Sequence, residues 1–136
     1  MQHAAKFSLP GARIHLSDEQ GVQPLRIDAG FWKRITSDPA LRAGRMLGVE
    51  AVRSDDDVHA STWERHPNGD ELLCVVSGRI DVVLEESAGE RLIPLEPLTG
   101  LIVPQGVWHR LRVKEPAVLI GVTRHADTQH RDVKEP

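Results

Sequence analysis

The sequence predicts an all-β domain, a double-sheet jelly roll behind an N-terminal arm. Three observations predict it. From Arg45 onward the chain falls into short β-type runs, turn formers separate those runs at close intervals, and no stretch sustains a helical period. Eight such runs in a chain of 136 residues fit one jelly roll whose interior holds a ligand or an ion.

Residues 1–30 have little periodicity and several turn formers, among them Pro10, Gly11, Gly21 and Pro24, and read as an arm with one short strand. Phe31-Trp32-Lys33-Arg34-Ile35 suits a short helical turn that Asp38-Pro39 stops. The main domain covers residues 31–124. Its β-type runs are Met46 to Val52, His59 to His66, Glu71 to Ser77, Arg79 to Glu86, Arg91 to Leu95, Leu101 to Val103, Val107 to Val113 and Val118 to Thr123. Pro67-Asn68-Gly69 and Ser87-Ala88-Gly89 supply hairpin turns, and Ser77-Gly78 a tight reversal. Pro104-Gln105-Gly106 and Glu115-Pro116 interrupt the later strands. Residues 125–136 form a polar tail expected to fray.

Composition narrows the function classes. Seventeen basic residues against 20 acidic give a net charge of -3, and the basic ones are scattered, which argues against nucleic acid. The start lacks the apolar core of a signal peptide and no run approaches a membrane span, so a cytoplasmic protein is expected. Cys74, the one cysteine, lies in an apolar run, which excludes a disulfide framework and suggests a small buried hydrophobe. Asp55-Asp56-Asp57 lacks the ligand alternation and glycine of a calcium loop and reads as a solvated turn.

The chemistry concentrates in two segments, Trp63-Glu64-Arg65-His66-Pro67-Asn68-Gly69-Asp70-Glu71 and Pro104-Gln105-Gly106-Val107-Trp108-His109. Strand alternation puts Glu64 and His66 on one face. If Pro67 to Asp70 form a hairpin loop, His66 lies opposite Glu71, at the roughly 4.5–5.5 Å Cβ separation of directly paired residues. Two imidazoles and two carboxylates at one point make a site for a divalent ion. Without a cation the two carboxylates would repel, and at least one is expected to hold its proton above its usual pKa. His3, His15, His59, His125 and His130 lie in polar or terminal contexts and read as surface histidines without a ligand role.

Glu64-x-His66-x4-Glu71-x6-Gly78 resembles the first cupin motif, and Pro104-x-Gly106-x2-His109 resembles the second. The two motifs span residues 64–109, the strand pattern extends the resemblance to roughly residues 45–123, and together they imply the double-stranded β-helix of a jelly-roll cupin barrel. The local string is similar to small stand-alone bacterial cupins, mostly of unassigned activity. The sequence departs from the pattern in carrying Glu64 where the commonest cupins have His, Leu98 in place of a glycine, and Val113 in place of Asn.

Carried over residue by residue, the resemblance implies His66, Glu71 and His109 as ligands of one divalent metal ion, with Glu64 the fourth ligand or an acid/base catalytic group. A carboxylate at position 64 shifts preference toward Mn or Fe(II), with Zn and Ni still open. Parity then predicts a lining of Thr62, Leu73, Val75, Leu111 and Val113, an apolar pocket for a small organic molecule. Trp63 and Trp108 face the other way, toward the second sheet, a partner or solvent. Exposed edges, the arm and these tryptophans make a homodimer the expected state. The functional reading is a metal-binding cupin with dioxygenase or isomerase/lyase chemistry. A non-catalytic ligand-binding or sensing cupin and a metal-free epimerase-like cupin are the alternatives.

Overall fold

The computed structural model describes residues 4–134, so His3 and the chain's last two residues lie outside it. The strands are β1 (Ala12–Leu16), β2 (Val22–Arg26), β3 (Arg45–Val52), β4 (Thr62–Arg65), β5 (Glu71–Glu86), β6 (Gly89–Leu95), β7 (Thr99–Val103), β8 (His109–Thr123) and β9 (Gln129–Asp132). Two short helices, α1 (Phe31–Ser37) and α2 (Pro39–Arg42), join β2 to β3. The sheet order is β2-β1-β3-β8-β4-β9, and β5 pairs β6, β7 and β8, all antiparallel.

Two long strands organise the sheet. Arg79–Glu86 and Glu71–Ser77, expected as separate strands around a reversal, are one strand, as are the runs on either side of Glu115-Pro116. The reason is a matched irregularity. The β5–β8 register shifts at Ser77 and Arg79, where Gly78 takes φ 77°. A Cβ at Gly78 would strike the carbonyl of Pro116 and come within 2.6 Å of the Ala117 Cα. The two turn-like residues therefore fit one another as a bulge that bends both strands without ending them.

The other prolines sit where a missing N–H is tolerated. Among the described residues β2 pairs only with β1 and β6 only with β5, and these edge strands hold Pro24 and Pro94. Alternation along β5 sends Leu73, Val75, Ile80, Val82 and Leu84 into the main core, where Val103 and Leu119 meet them. Cys74 faces the other way and is half-buried with its Sγ near Gly100, so it is not the buried hydrophobe expected.

The arm differs from expectation in having two strands, which form a hairpin that extends the sheet through β3. The helical turn appears as α1, whose Phe31 and Ile35 face one side and pack with Leu25 and Met46 in a second cluster. Asp38 ends it and caps α2 by accepting from Ala40 N at 2.9 Å, with Pro39 next. The run expected over His59–His66 is a strand only at Thr62–Arg65. Before it, Asp55–Val58 form a 3-10 turn in which Asp57 accepts from Arg53 N at 2.7 Å and Asp55 accepts from Val113 N at 2.8 Å.

The tail expected to fray carries β9, which pairs with β4 from Thr62↔Asp132 to Arg65↔Gln129. It is held by stacking that sequence periodicity does not register. The Arg131 guanidinium lies 5.6 Å from the Trp63 ring centroid and 4.6 Å from that of Trp108, and Arg65 lies 4.7 Å from Trp108. Trp63 is buried beneath Arg131 and Arg110.

Candidate metal centre

Three strands and one loop position the site. Glu64 of β4 pairs directly with His109 of β8, so the two project from one face. Glu71 opens β5, opposite Val103. His66 lies just past β4 and is placed by hydrogen bonds between the two motif segments. Gly106 N donates to His66 O at 3.0 Å, Gln105 N to Asp70 Oδ1 at 2.8 Å, and Gln105 Nε2 to Pro67 O at 2.6 Å. Pro67–Asp70 is consequently not the loop of a β4–β5 hairpin: β4 pairs β8 and β9, and β5 pairs β6, β7 and β8. His66 meets Glu71 by that cross-linking rather than across a strand pair.

The side chains nevertheless converge. One ligand atom each from Glu64, His66 and His109 lie within 4.8 Å of one another. Glu71 stands between the rings, with Oε1 2.9 Å from His109 Nε2 and Oε2 3.2 Å from His66 Nε2. The imidazole centroids are 5.4 Å apart. His66, Glu71 and His109 are buried, while Glu64 is partly exposed.

The outer hydrogen bonds fix which nitrogen of each ring faces the centre. The Thr128 hydroxyl donates to His125 O at 2.8 Å, so toward His66 Nδ1, at 2.9 Å, it accepts. His109 Nδ1 lies 3.0 Å from Val107 O, and a carbonyl also only accepts. Both Nδ1 atoms therefore carry protons, so in the neutral rings both Nε2 lone pairs face the centre. His66 Nε2 is fully buried and finds no hydrogen-bond partner among the described residues. Inward lone pairs, an orphaned buried nitrogen and two carboxylates match the donor set of a divalent cation.

Glu71 also accepts a hydrogen bond from the Thr123 hydroxyl. Burial pushes its carboxyl up, but the flanking His109 and His66 outweigh burial and lower it from 4.5 to about 2. Burial pushes His109 down, but the Glu71 carboxylate outweighs it and the ring is raised above 6.5. The clash of carboxylates expected from the sequence is thus relieved for Glu71 by its imidazole neighbours.

A cavity of about 980 Å³ opens over the centre. Of the predicted lining, Thr62, Leu73 and Leu111 border it together with Glu64, His66, Glu71 and His109. Val75 and Val113 do not border it. Both pack in the core, because alternation fixes the face a residue takes but not how far along the strand the cavity reaches. Phe31, Trp32 and Ile35 of α1 add an apolar wall.

No family model matches the sequence, and no curated protein matches it. Solved structures do. A cupin-2 domain containing protein from Shewanella frigidimarina is 19% identical, with TM-score 0.46 over 57% of this chain and 68% of its own. A protein from Neisseria meningitidis is 19% identical, with TM-score 0.47 over 58% and 72%. Oxalate decarboxylase from Bacillus subtilis, a protein with Mn(II) centres, reaches TM-score 0.50 at 16% identity over 65% of this chain and 24% of its own. The chain has the cupin fold. At such identity the likeness concerns architecture alone.

In this cupin fold the sequence reading missed Thr123, Thr128 and His130. Thr123 and Thr128 orient Glu71 and His66, and His130 Nε2 lies 3.7 Å from Glu64 Oε1. Other histidines also depart from the surface reading. His15 is buried with Nε2 2.6 Å from Ala43 O, and His59 and His125 line the cavity. Burial lowers the His125 pKa, which keeps the ring neutral.

Proposed function

We propose that this cupin-fold protein holds one divalent metal ion through His66, Glu71, His109 and Glu64, and that a small organic molecule enters the cavity above it. The observation that carries this reading is the pair of Nδ1-anchored imidazoles whose Nε2 atoms face a common centre beside two carboxylates. Two nitrogens and two carboxylate oxygens form a hard, anionic set that favours Mn or Fe(II) over softer competitors. Such an ion, when bound, would supply a Lewis acid able to polarise a substrate oxygen. Around it, Leu73, Leu111 and Leu119 line the cavity with apolar surface. Glu64, the more exposed carboxylate, is placed to move a proton at a bound molecule if it is not itself a ligand.

Elemental analysis of purified chain incubated with Mn2+ and desalted tests the reading. One equivalent of metal is expected in the wild type and a large loss in His109→Ala and Glu71→Ala. Retention of metal by both variants, or none in the wild type, would sink it.

A second reading has one observation in its favour. Glu71 and His109 satisfy each other as an ion pair without a cation, which suits metal-free acid/base chemistry of the epimerase type. Turnover that survives exhaustive chelation would select it. The proposal extends to a homodimer, supported by exposed Trp32 and Val22 and the unpaired edge of β2, and to a cytoplasmic setting, supported by the lone Cys74. Light scattering tests the dimer. Among the described residues no helix is long and apolar enough to cross a membrane.

A further inference from the structure

Glu64 is the middle of a row across three strands. Its register partner on one side is His109 of β8 and on the other His130 of β9. Directly opposed residues of neighbouring antiparallel strands project to the same face, so His130 faces the side that bears Glu64 and His109. Its Nε2 lies 3.7 Å from Glu64 Oε1, and His66 Nε2 lies 3.8 Å from that same oxygen. One carboxylate oxygen thus has an imidazole nitrogen from His66 and another from His130 beside it. His130 also borders the cavity.

The strand that carries His130 is anchored by groups outside the centre. Arg131 stacks on Trp63 and Trp108 and pairs with Glu85, Arg65 Nε donates to Gln129 Oε1 at 2.6 Å, and Asn68 Nδ2 donates to Ala126 O at 2.9 Å. These contacts hold the backbone of residue 130 in register. The side chain itself is 61% exposed, against 5% for His66 and 3% for His109. It stands on the solvent side of Glu64.

We propose that His130 is a further ligand of the metal centre, supplied by the C-terminal strand. The inference rests on the metal-binding reading above. A third imidazole adds a borderline nitrogen donor to a set otherwise balanced between nitrogen and oxygen, and so broadens the site toward Co, Ni and Zn. It also makes β9 part of the site twice over, since the same segment brings Thr128 to His66 Nδ1. The competing account is an exposed histidine beside a carboxylate, an arrangement worth little in itself.

Co2+ titration of the full chain, followed by visible absorption and calorimetry, separates the two. His130→Ala is expected to shift the Co2+ bands, because one nitrogen donor is replaced by water. It should also weaken Co2+ by more than the roughly 10–100-fold loss that disturbing an outer partner of a ligand brings. The thermal midpoint of the ion-free variant should equal that of the ion-free wild type. Wild-type affinity and an unchanged spectrum in His130→Ala would overturn the proposal while leaving the metal reading intact. Weakened binding together with a lowered ion-free midpoint would overturn it in favour of a structural role. A wild-type chain that takes up no Co2+ would overturn both readings.

Discussion

The His109 ring is engaged on both sides, its Nε2 2.9 Å from Glu71 Oε1 and its Nδ1 3.0 Å from the carbonyl oxygen of Val107. The carbonyl keeps a proton on Nδ1 and the carboxylate draws a second to Nε2. Burial opposes the charged ring, but Glu71 prevails and its pKa is raised above 6.5. A metal ion must displace that second proton. Affinity for Mn2+ is therefore expected to climb as pH rises through the raised folded-state value of His109 and to level off once the ring is neutral unaided. Calorimetry in buffers of different ionisation enthalpy should register proton release; affinity independent of pH over that range would contradict the assignment of the ring nitrogens.

The same pair sets the ion-free stability profile. Glu71 is depressed to about 2 from 4.5, so its contribution is present above 4.5 and is lost as pH falls through about 2. His109 is raised, so its contribution is present below 6.5 and is lost as pH rises through the folded-state value. The ion-free chain should be most stable between 4.5 and 6.5. Glu71→Gln removes the ion pair and is expected to cost about 1–3 kcal/mol in that window, with a flatter pH profile on its alkaline side. Urea melts across the window check this, and a variant as stable as the parent throughout would count against a buried ion pair.

How much of the site was legible depended on how local its causes are. Glu64 and His66 are two residues apart, so strand alternation put them on one face, whereas His109, remote in sequence, was joined to them only by the resemblance of its Pro-x-Gly segment to the second cupin motif. The β5–β8 continuity was hidden because Gly78 and Pro116 each look like a stop; only their mutual fit across the ladder makes them a bulge. β9 was hidden because Gln129-His130-Arg131-Asp132 has no apolar alternation, and its pairing draws on Trp63 and Trp108, far away in sequence. Thr128 and His130 were lost with it.

The anchoring of β9 is itself testable. Arg131 covers Trp63 and Trp108 and reaches Glu85, so Arg131→Ala removes two stacking contacts and an ion pair from one strand. The expected cost is about 0.5–2 kcal/mol, concentrated locally. Amide exchange at residues 129–132 should quicken while that of β5 stays slow. Uniform exchange in parent and variant would show that the strand is held by its ladder alone.

The bulge at Gly78 makes the sharpest demand on a single residue. Its φ of 77° lies where an L side chain costs about 1–3 kcal/mol, and the carbonyl of Pro116 occupies the space a Cβ would take. Backbone, unlike the end of a flexible side chain, cannot swing aside. Gly78→Ala must therefore break the β5–β8 register where both strands bend, and those strands also carry Glu71, His109 and Thr123. The expected result is a loss of stability above about 3 kcal/mol, beyond the usual range for a point substitution. Gly100→Ala, whose Cβ would meet Cys74 Sγ at 3.3 Å and carries no positive φ, is the matched control and should cost far less. Equal denaturation midpoints for the two variants would mean that the bulge yields easily and that the long strands owe their continuity to something else.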